Sequence, residues 1–536
     1  MPTYPAERMT GGQALARQLA REGVEHIFGL PGDQTMHALD GIYDVPSIRF
    51  ITTRHEQGTT YLADGYARAS GRPGVAFVVP GVGIYNAGAG LATAWASSSP
   101  VVFIAGQINR DGIGKGLGLL HEIDDQLDLV RPITSWQRRA LTAGEIPETV
   151  HEAFARVQRG RRQPVEIEMP PEAFSEEADI TLLDRADDVR LAADPADIER
   201  AAAVLAGAER PLIWAGGGVV LGNASAQLTA VAEFLQASVV TTRQGKGAID
   251  DRHPLAIGSV WVNRRLQPML DDADVILAVG THFLGSKVAA DTVVVHVDVD
   301  PAEIGRHFDN PIAVIGDAAP TLDLLLAELQ KRSDPHADRT AETRVMRADV
   351  DEQLRAVGPQ ALMVDQLRAA VPDDGILVPC TTTMGYMTHM LYPTYAPRTY
   401  LSTSYMGTLG FGFPAALGAK VARPDVPVVC VTGDGGFLFA ATELATAMQY
   451  GINTITIVYN DNAYGNSNRD QRERFHGREI GTELRNPDFV KFAESFGADA
   501  VKLALGDDVG PAVREAIGND RPTVIEVPMD RLPAPF

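Results

Sequence analysis

The chain has 536 residues, 45% hydrophobic and 22% charged, enough for several buried cores and, at ordinary domain sizes, three units. Its 69 acidic and 47 basic residues give a formal charge of −22, which opposes binding to nucleic acid and reads as solubility. No apolar run approaches the roughly 20 residues of a membrane span, and two cysteines, Cys380 and Cys430, are too few for a disulfide framework. A soluble α/β protein with no membrane partner is expected. The first residues do not resemble a cleavable signal, so the expected location is cytoplasmic.

In chain order, an amphipathic helix opens the first unit and the loop 29–34 follows, in which Asp33 could handle protons or cap a helix over 34–39. A strand at 49–52 then runs into Arg54, His55, Glu56, Gln57 and Gly58 and a helix over 59–69. Glu56 stands in that helix's first turn, as a dipole-favoured carboxylate or, if buried, a proton-transfer group. A glycine turn at 80–86 ends on Asn86, and a strand at 100–107 comes next. In the loop 119–126, His121 can titrate near neutrality and Glu122 could orient it. After a strand at 165–167 the acidic, aperiodic stretch 173–194 reads as a linker.

The middle unit carries a strand at 211–214 and the glycine run 216–222. That run would suit a dinucleotide, but the strand at 238–242 ends without the acidic residue a ribose needs, so a nicotinamide oxidoreductase is the weaker reading. A charged run at 331–351 separates the third unit. The units are about 6–175, 192–330 and 355–530, each alternating short apolar strands with helices, which predicts three doubly wound parallel sheets.

The third unit holds the strongest signal. A strand at 376–379 precedes Thr381, Thr382 and Thr383, which either cap a helix or bind a phosphate. Gly407 and Leu409 lie in a glycine-rich turn before a helix at 414–421. The buried strand 428–432 runs into Gly433, Asp434, Gly435 and Gly436, a helical pattern covers 437–450, and the strand 454–459 delivers Asn460 and Asp461 beside the first turn. Carboxylate and carbonyl oxygens at adjacent strand ends suit Mg²⁺, which takes near-octahedral oxygen ligands at about 2.0–2.1 Å and bridges to phosphates. The charge-dense stretch 469–479 is either a lid or a solvated loop.

The GDG at 433–435 followed by the Asn460, Asp461 pair resembles the thiamine-diphosphate motif. His55 to Gln57, the segment 63–71, the segment 80–86 and the strand 100–107 are similar to acetohydroxyacid synthase and benzoylformate decarboxylase, and the likeness runs through all three units. It implies pyrimidine-binding, central and diphosphate-binding domains in that order. Mg²⁺ would be held by Asp434, the Asp461 side chain, where the family usually has Asn, and the Ala463 carbonyl. Cofactor contacts would come from Asn86, Thr381 to Thr383, Gly407, Leu409 and Gly433 to Gly436, with Glu56 activating the cofactor and Asp33, His121 and Glu122 on the substrate side. The resemblance further implies a homodimer or homotetramer with the site at the subunit interface. The activity it implies is decarboxylation of a 2-oxo acid, with ligation to a second carbonyl or, alternatively, release of an aldehyde. The family's arginine-rich segment appears here as the stretch 282–286, which makes FAD unlikely.

Overall fold

Residues 5–283 and 287–534 are described by a computed structural model; Leu284, Gly285 and Ser286, part of the stretch on which the flavin argument rests, lie outside them. Three parallel sheets carry the fold. The first orders its strands Arg49–Thr52, His26–Gly29, Gly74–Val78, Val101–Gly106, Val165–Met169, Trp136–Arg139. The central sheet orders Ala256–Ser259, Ser238–Thr241, Pro211–Ala215, Val275–Val279, Val293–Asp298, Ile312–Ile315, and the third Ile376–Pro379, Val428–Gly433, Ile455–Asn460, Thr523–Pro528, Asp499–Lys502. The strands are short, apolar and largely buried, as helices on both faces require. Among the described residues no helix is long and apolar enough to cross a membrane.

Two stretches read as linkers contain regular structure. Within 173–194, Glu177–Ile180 pairs antiparallel with Glu7–Thr10, so an acidic strand closes the first unit against its own beginning. Within 331–351 begins the helix Thr340–Arg355; only Thr343, Val350 and Leu354 on it are buried, an apolar stripe too thin to show through the charge. The helical pattern over 437–450 is broken into Asp434–Leu438, a 3₁₀ turn at Ala441–Glu443, and Leu444–Tyr450.

The first and third units share one hydrophobic core, in which Phe28, Tyr61 and Leu62 pack with Phe411, Leu417 and Phe437. The helices Glu56–Ser70 and Gly412–Ala422 meet at backbone contact. A Cβ on Gly65 would lie 2.0 Å from the Ala415 carbonyl oxygen, and one on Gly418 would lie 1.9 Å from that of Leu62. Only glycine permits that approach. Gly418→Ala is therefore expected to force the helices apart and to cost about 1–3 kcal/mol, read as a lowered midpoint in calorimetric unfolding; an unchanged midpoint would mean the contact is slack.

Candidate active site

The carboxyl ends of three adjacent strands in the third sheet converge. Gly433 pairs in register with Tyr459, so Asp434 and Asp461 leave neighbouring strands at the same edge. Asp434 is buried. Its Oδ2 accepts a hydrogen bond from Asn486 Nδ2 at 2.5 Å. Burial raises its pKa against hydrogen bonds from Asn486 and from the amides of Gly435 and Ala463. The Asp461 carboxyl is pushed up to about 6, by burial and then by the negative charge of Asp434. Two desolvated carboxylates that repel each other form a site that a cation would relieve.

The geometry distinguishes Asn460 from Asp461. Asn460 spends its amide inside the protein: Nδ2 donates to Glu526 at 2.9 Å, while Oδ1 accepts from the Asn462 amide at 3.1 Å and from Asn486 at 3.0 Å. Asp461 keeps one oxygen on the Ala463 amide at 3.2 Å. Its other oxygen occupies the space beside Gly465, where a Cβ would come within 2.4 Å. Asp461 is thus the better candidate ligand.

The threonine turn adjoins this clamp. Thr382 accepts from the Gly385 amide at 3.0 Å and caps the helix Thr383–Leu391, and its methyl lies 3.3 Å from where a Cβ on Gly433 would be. The Thr381 hydroxyl is 3.3 Å from that of Thr403. Gly407 has φ +62, a left-handed conformation, and Leu409 lies over Gly436, 3.9 Å from its hypothetical Cβ. Thr381 to Thr383, Gly433 to Gly436, Leu409, Asp461 and Ala463 are thus brought to one edge.

In the first unit Glu56 begins the helix Glu56–Ser70 and accepts from Asn86 Nδ2 at 3.0 Å while 7% exposed. What places it was missed in the sequence: the carboxylate of Glu443, from the third unit, accepts from the amides of Arg54 at 3.0 Å and His55 at 3.1 Å. Glu443 is fully buried, and burial raises its pKa against the Thr446 hydroxyl and those two amides. Gly58 leaves it room, since a Cβ there would lie 2.4 Å from Glu443 Oε1. Among the described residues no hydrogen bond or ion pair joins Glu56 or Asn86 to the clamp of the same chain.

Asp33, itself exposed, starts a 3₁₀ turn whose Gln34 and Thr35 are buried and which is capped by Thr35 rather than by the Asp33 carboxylate. His121, at φ +67, sets Nδ1 3.0 Å from Gln34 Oε1, so Gln34, not Glu122, orients the ring. Glu122 instead accepts from the amides of Leu119 at 2.8 Å and Leu117 at 3.2 Å, bonds that lower its pKa. The 469–479 stretch is helical up to Arg474, in Gly465–Arg474.

In the central unit a cavity of about 290 Å³ is bordered by Arg161, Arg243, His282 and Glu303. Gly216 and Gly218 abut Gly280 so closely that a Cβ would clash at 2.0 and 2.6 Å, which accounts for them as packing residues. His282 Nδ1 sits 2.7 Å from Glu303, and Arg161 spans Glu303 at 2.6 Å and Asp300 at 3.5 Å. Although burial opposes it, His282 and Arg161 hold the Glu303 carboxyl down to about 2.

The whole length of the chain has relatives of this architecture. Three family descriptions match in succession: the N-terminal thiamine pyrophosphate binding domain over residues 9–129, the central domain over 198–325, and the C-terminal binding domain over 381–527. The chain belongs to the thiamine pyrophosphate enzyme family and is an enzyme of its carboligase or decarboxylase kind. It is 36% identical to a probable acetolactate synthase large subunit of Methanocaldococcus jannaschii, covering 97% of this chain and 92% of the relative. It is 34% identical to a probable 2-ketoarginine decarboxylase of Pseudomonas aeruginosa (98% and 95% covered) and 29% identical to acetolactate synthase isozyme 3 large subunit of Escherichia coli (98% and 95%).

Removing the Glu443 carboxylate leaves two helix-start amides without their acceptor. Glu443→Ala should cost about 1–3 kcal/mol in denaturant unfolding and reduce activity by misplacing Glu56. Unchanged stability would show that water replaces the carboxylate.

Proposed function

We propose that the chain is a thiamine-diphosphate- and Mg²⁺-dependent carboligase that decarboxylates a 2-oxo acid and joins the acyl unit to a second carbonyl. The observation that carries this is the Asp434 and Asp461 pair beside a threonine-capped turn. The residues fit the group: among the described residues neither carboxylate forms an ion pair, Arg531 acting on Asp461 only through its charge, and Gly433 and Gly436 keep side chains off the turn that a diphosphate would approach. Asp434, Asp461 and the Ala463 carbonyl would hold Mg²⁺. Thr381, Thr382, Thr383, Gly407 and Gly433 to Gly436 would border the diphosphate and ring, and Leu409 would support the ring from beneath.

When bound, the cofactor would supply a nucleophilic carbon for the oxo-acid carbonyl and, in its thiazolium ring, a sink for the electron pair left as CO₂ departs. Glu56 would hold a proton at the pyrimidine nitrogen, with Asn86 fixing the carboxylate oxygen and Glu443 fixing the start of its helix. His121, oriented by Gln34, and the exposed Asp33 would handle protons on the substrate side. Because among the described residues no hydrogen bond or ion pair joins Glu56 to the clamp of its own chain, the site is read as completed between subunits of a homodimer or dimer of dimers. Exposed Val82 and Tyr85 flank the Glu56 and Asn86 side, and Leu438 and Phe439 adjoin the clamp; these apolar surfaces support that reading. The acetolactate synthase relatives favour ligation, and the 2-ketoarginine decarboxylase relative supports simple decarboxylation as the second reading. The enzyme is read as flavin-independent, since the arginines of the family's segment are missing from the stretch 282–286, where His282 is engaged by Glu303.

Dialysis against chelator should abolish turnover, and Mg²⁺ with thiamine diphosphate, without flavin, should restore it. Chromatographic separation of hydroxyketone from aldehyde decides between ligation and release, and full turnover without metal or cofactor sinks the proposal. Glu56→Gln should retain cofactor binding while slowing proton exchange at the reactive carbon by about 10²–10⁴-fold, measured by deuterium exchange and NMR after acid quench; an unchanged rate removes Glu56 from that role.

A further inference from the structure

Among the described residues most arginines of this acidic chain are paired with carboxylates; Arg243 and Arg469 are not. Arg243 follows the central strand Ser238–Thr241 and borders the cavity, its guanidinium 4.6 Å from the centroid of the Trp261 ring. It has no ion pair among the described residues, and burial lowers its pKa to about 10. Arg469 lies on the helix Gly465–Arg474, which starts just after the candidate ligands Asp461 and Ala463. It is 7% exposed; Nη2 donates to Asn466, while Nη1 is buried without a hydrogen-bond partner. An unsatisfied buried guanidinium N–H is costly.

The two arginines meet electrostatically at Tyr386. This residue stands one turn into the helix Thr383–Leu391, its amide donating to the Thr382 carbonyl at 2.8 Å. Its ring centroid is 5.5 Å from that of Trp261. Burial raises the Tyr386 hydroxyl pKa against the pull of both Arg243 and Arg469. The other titratable neighbour, His389, is held neutral by burial and by Arg243 and Lys246, and Lys246 is itself 3.9 Å from Asp251. Among the described residues no carboxylate pairs with either arginine, and Tyr386 and Arg469 lie on the helices that follow the threonine turn and the Asp461 turn.

We propose that Arg243 and Arg469, flanking Tyr386, receive a second carboxylate at the far end of the substrate, so that the enzyme takes a dicarboxylic 2-oxo acid. This deepens the proposed function and rests on it. Holding the carboxylate that departs as CO₂ would stabilise the ground state, whereas holding a distal one binds ground and transition states alike. Two guanidinium groups also exclude a cationic side chain, in contrast to the 2-ketoarginine named for one relative.

The test uses the full chain with thiamine diphosphate and Mg²⁺. Malonate, succinate and glutarate are titrated calorimetrically, with butanoate as the monoanionic control. At least one dicarboxylate should bind about tenfold or more tighter than butanoate, and Arg243→Gln and Arg469→Gln should each weaken it about tenfold or more. Arg243→Lys and Arg469→Lys should retain part of the affinity, and they decide the matter if the glutamine variants fail to fold by circular dichroism. In turnover, kcat/KM for 2-oxoglutarate or oxaloacetate should fall, through KM, more than that for 2-oxopentanoate. Equal binding of dicarboxylates and butanoate, or equal losses for both substrate types, would overturn the proposal. A cofactor titration on the same sample separates the failures: absent thiamine diphosphate binding refutes the proposed function, while the dicarboxylate titration still decides the arginine receptor.

Discussion

Two carboxylates placed at the ends of adjacent parallel strands repel each other, and burial denies them the water that would screen the repulsion. Much of the third unit works to keep them there. In-register pairing of Val428–Gly433 with Ile455–Asn460 fixes both at one edge, Gly465 clears space for the Asp461 oxygen, and the Asn486 amide binds Asp434, Asn460 and Asn462 together. Behind them Asn460 leans on Glu526, whose charge is met by Lys502 at 2.8 Å. The polar chain thus ends at a surface lysine.

The same unit also shapes the first one. Because helices Glu56–Ser70 and Gly412–Ala422 touch backbone to backbone, the units share a core and cannot reorient without opening it. Glu443 then extends the contact from packing to chemistry, since its carboxylate ends the chain segment from which Glu56 departs. The Glu56 carboxylate of the first unit is thus positioned by the Glu443 carboxylate of the third, and core packing and the placement of Glu56 depend on the same helix.

What was legible in the sequence was whatever is local. The strands Ile376–Pro379 and Arg49–Thr52 fall where their apolar runs place them, and the glycines flanking Asp434 mark the turn from strand to helix. Asn486, Glu443 and Gln34 were invisible because each acts on a partner distant in sequence: Asn486 reaches Asp434 over 52 residues, and Glu443 reaches Arg54 over 389. Nothing in their neighbourhoods distinguishes them from capping or surface residues. The expectation that Glu122 would orient His121 failed for a related reason: an adjacent carboxylate has closer backbone amides to satisfy, and Leu117 and Leu119 claim it.

The central unit shows the limit of reasoning from residue counts. Arginines lost from the stretch 282–286 were read as lost anion donors, yet others reach the same cavity from elsewhere in the chain, Arg161 from the first unit among them. Whether a guanidinium can serve a ligand depends on what already holds it. Arg161 is committed to Glu303 and Asp300, whereas Arg243 rests on an indole ring that satisfies its face and none of its five N–H donors. Composition assigns the two the same charge, and only their partners in three dimensions make one structural and leave the other available.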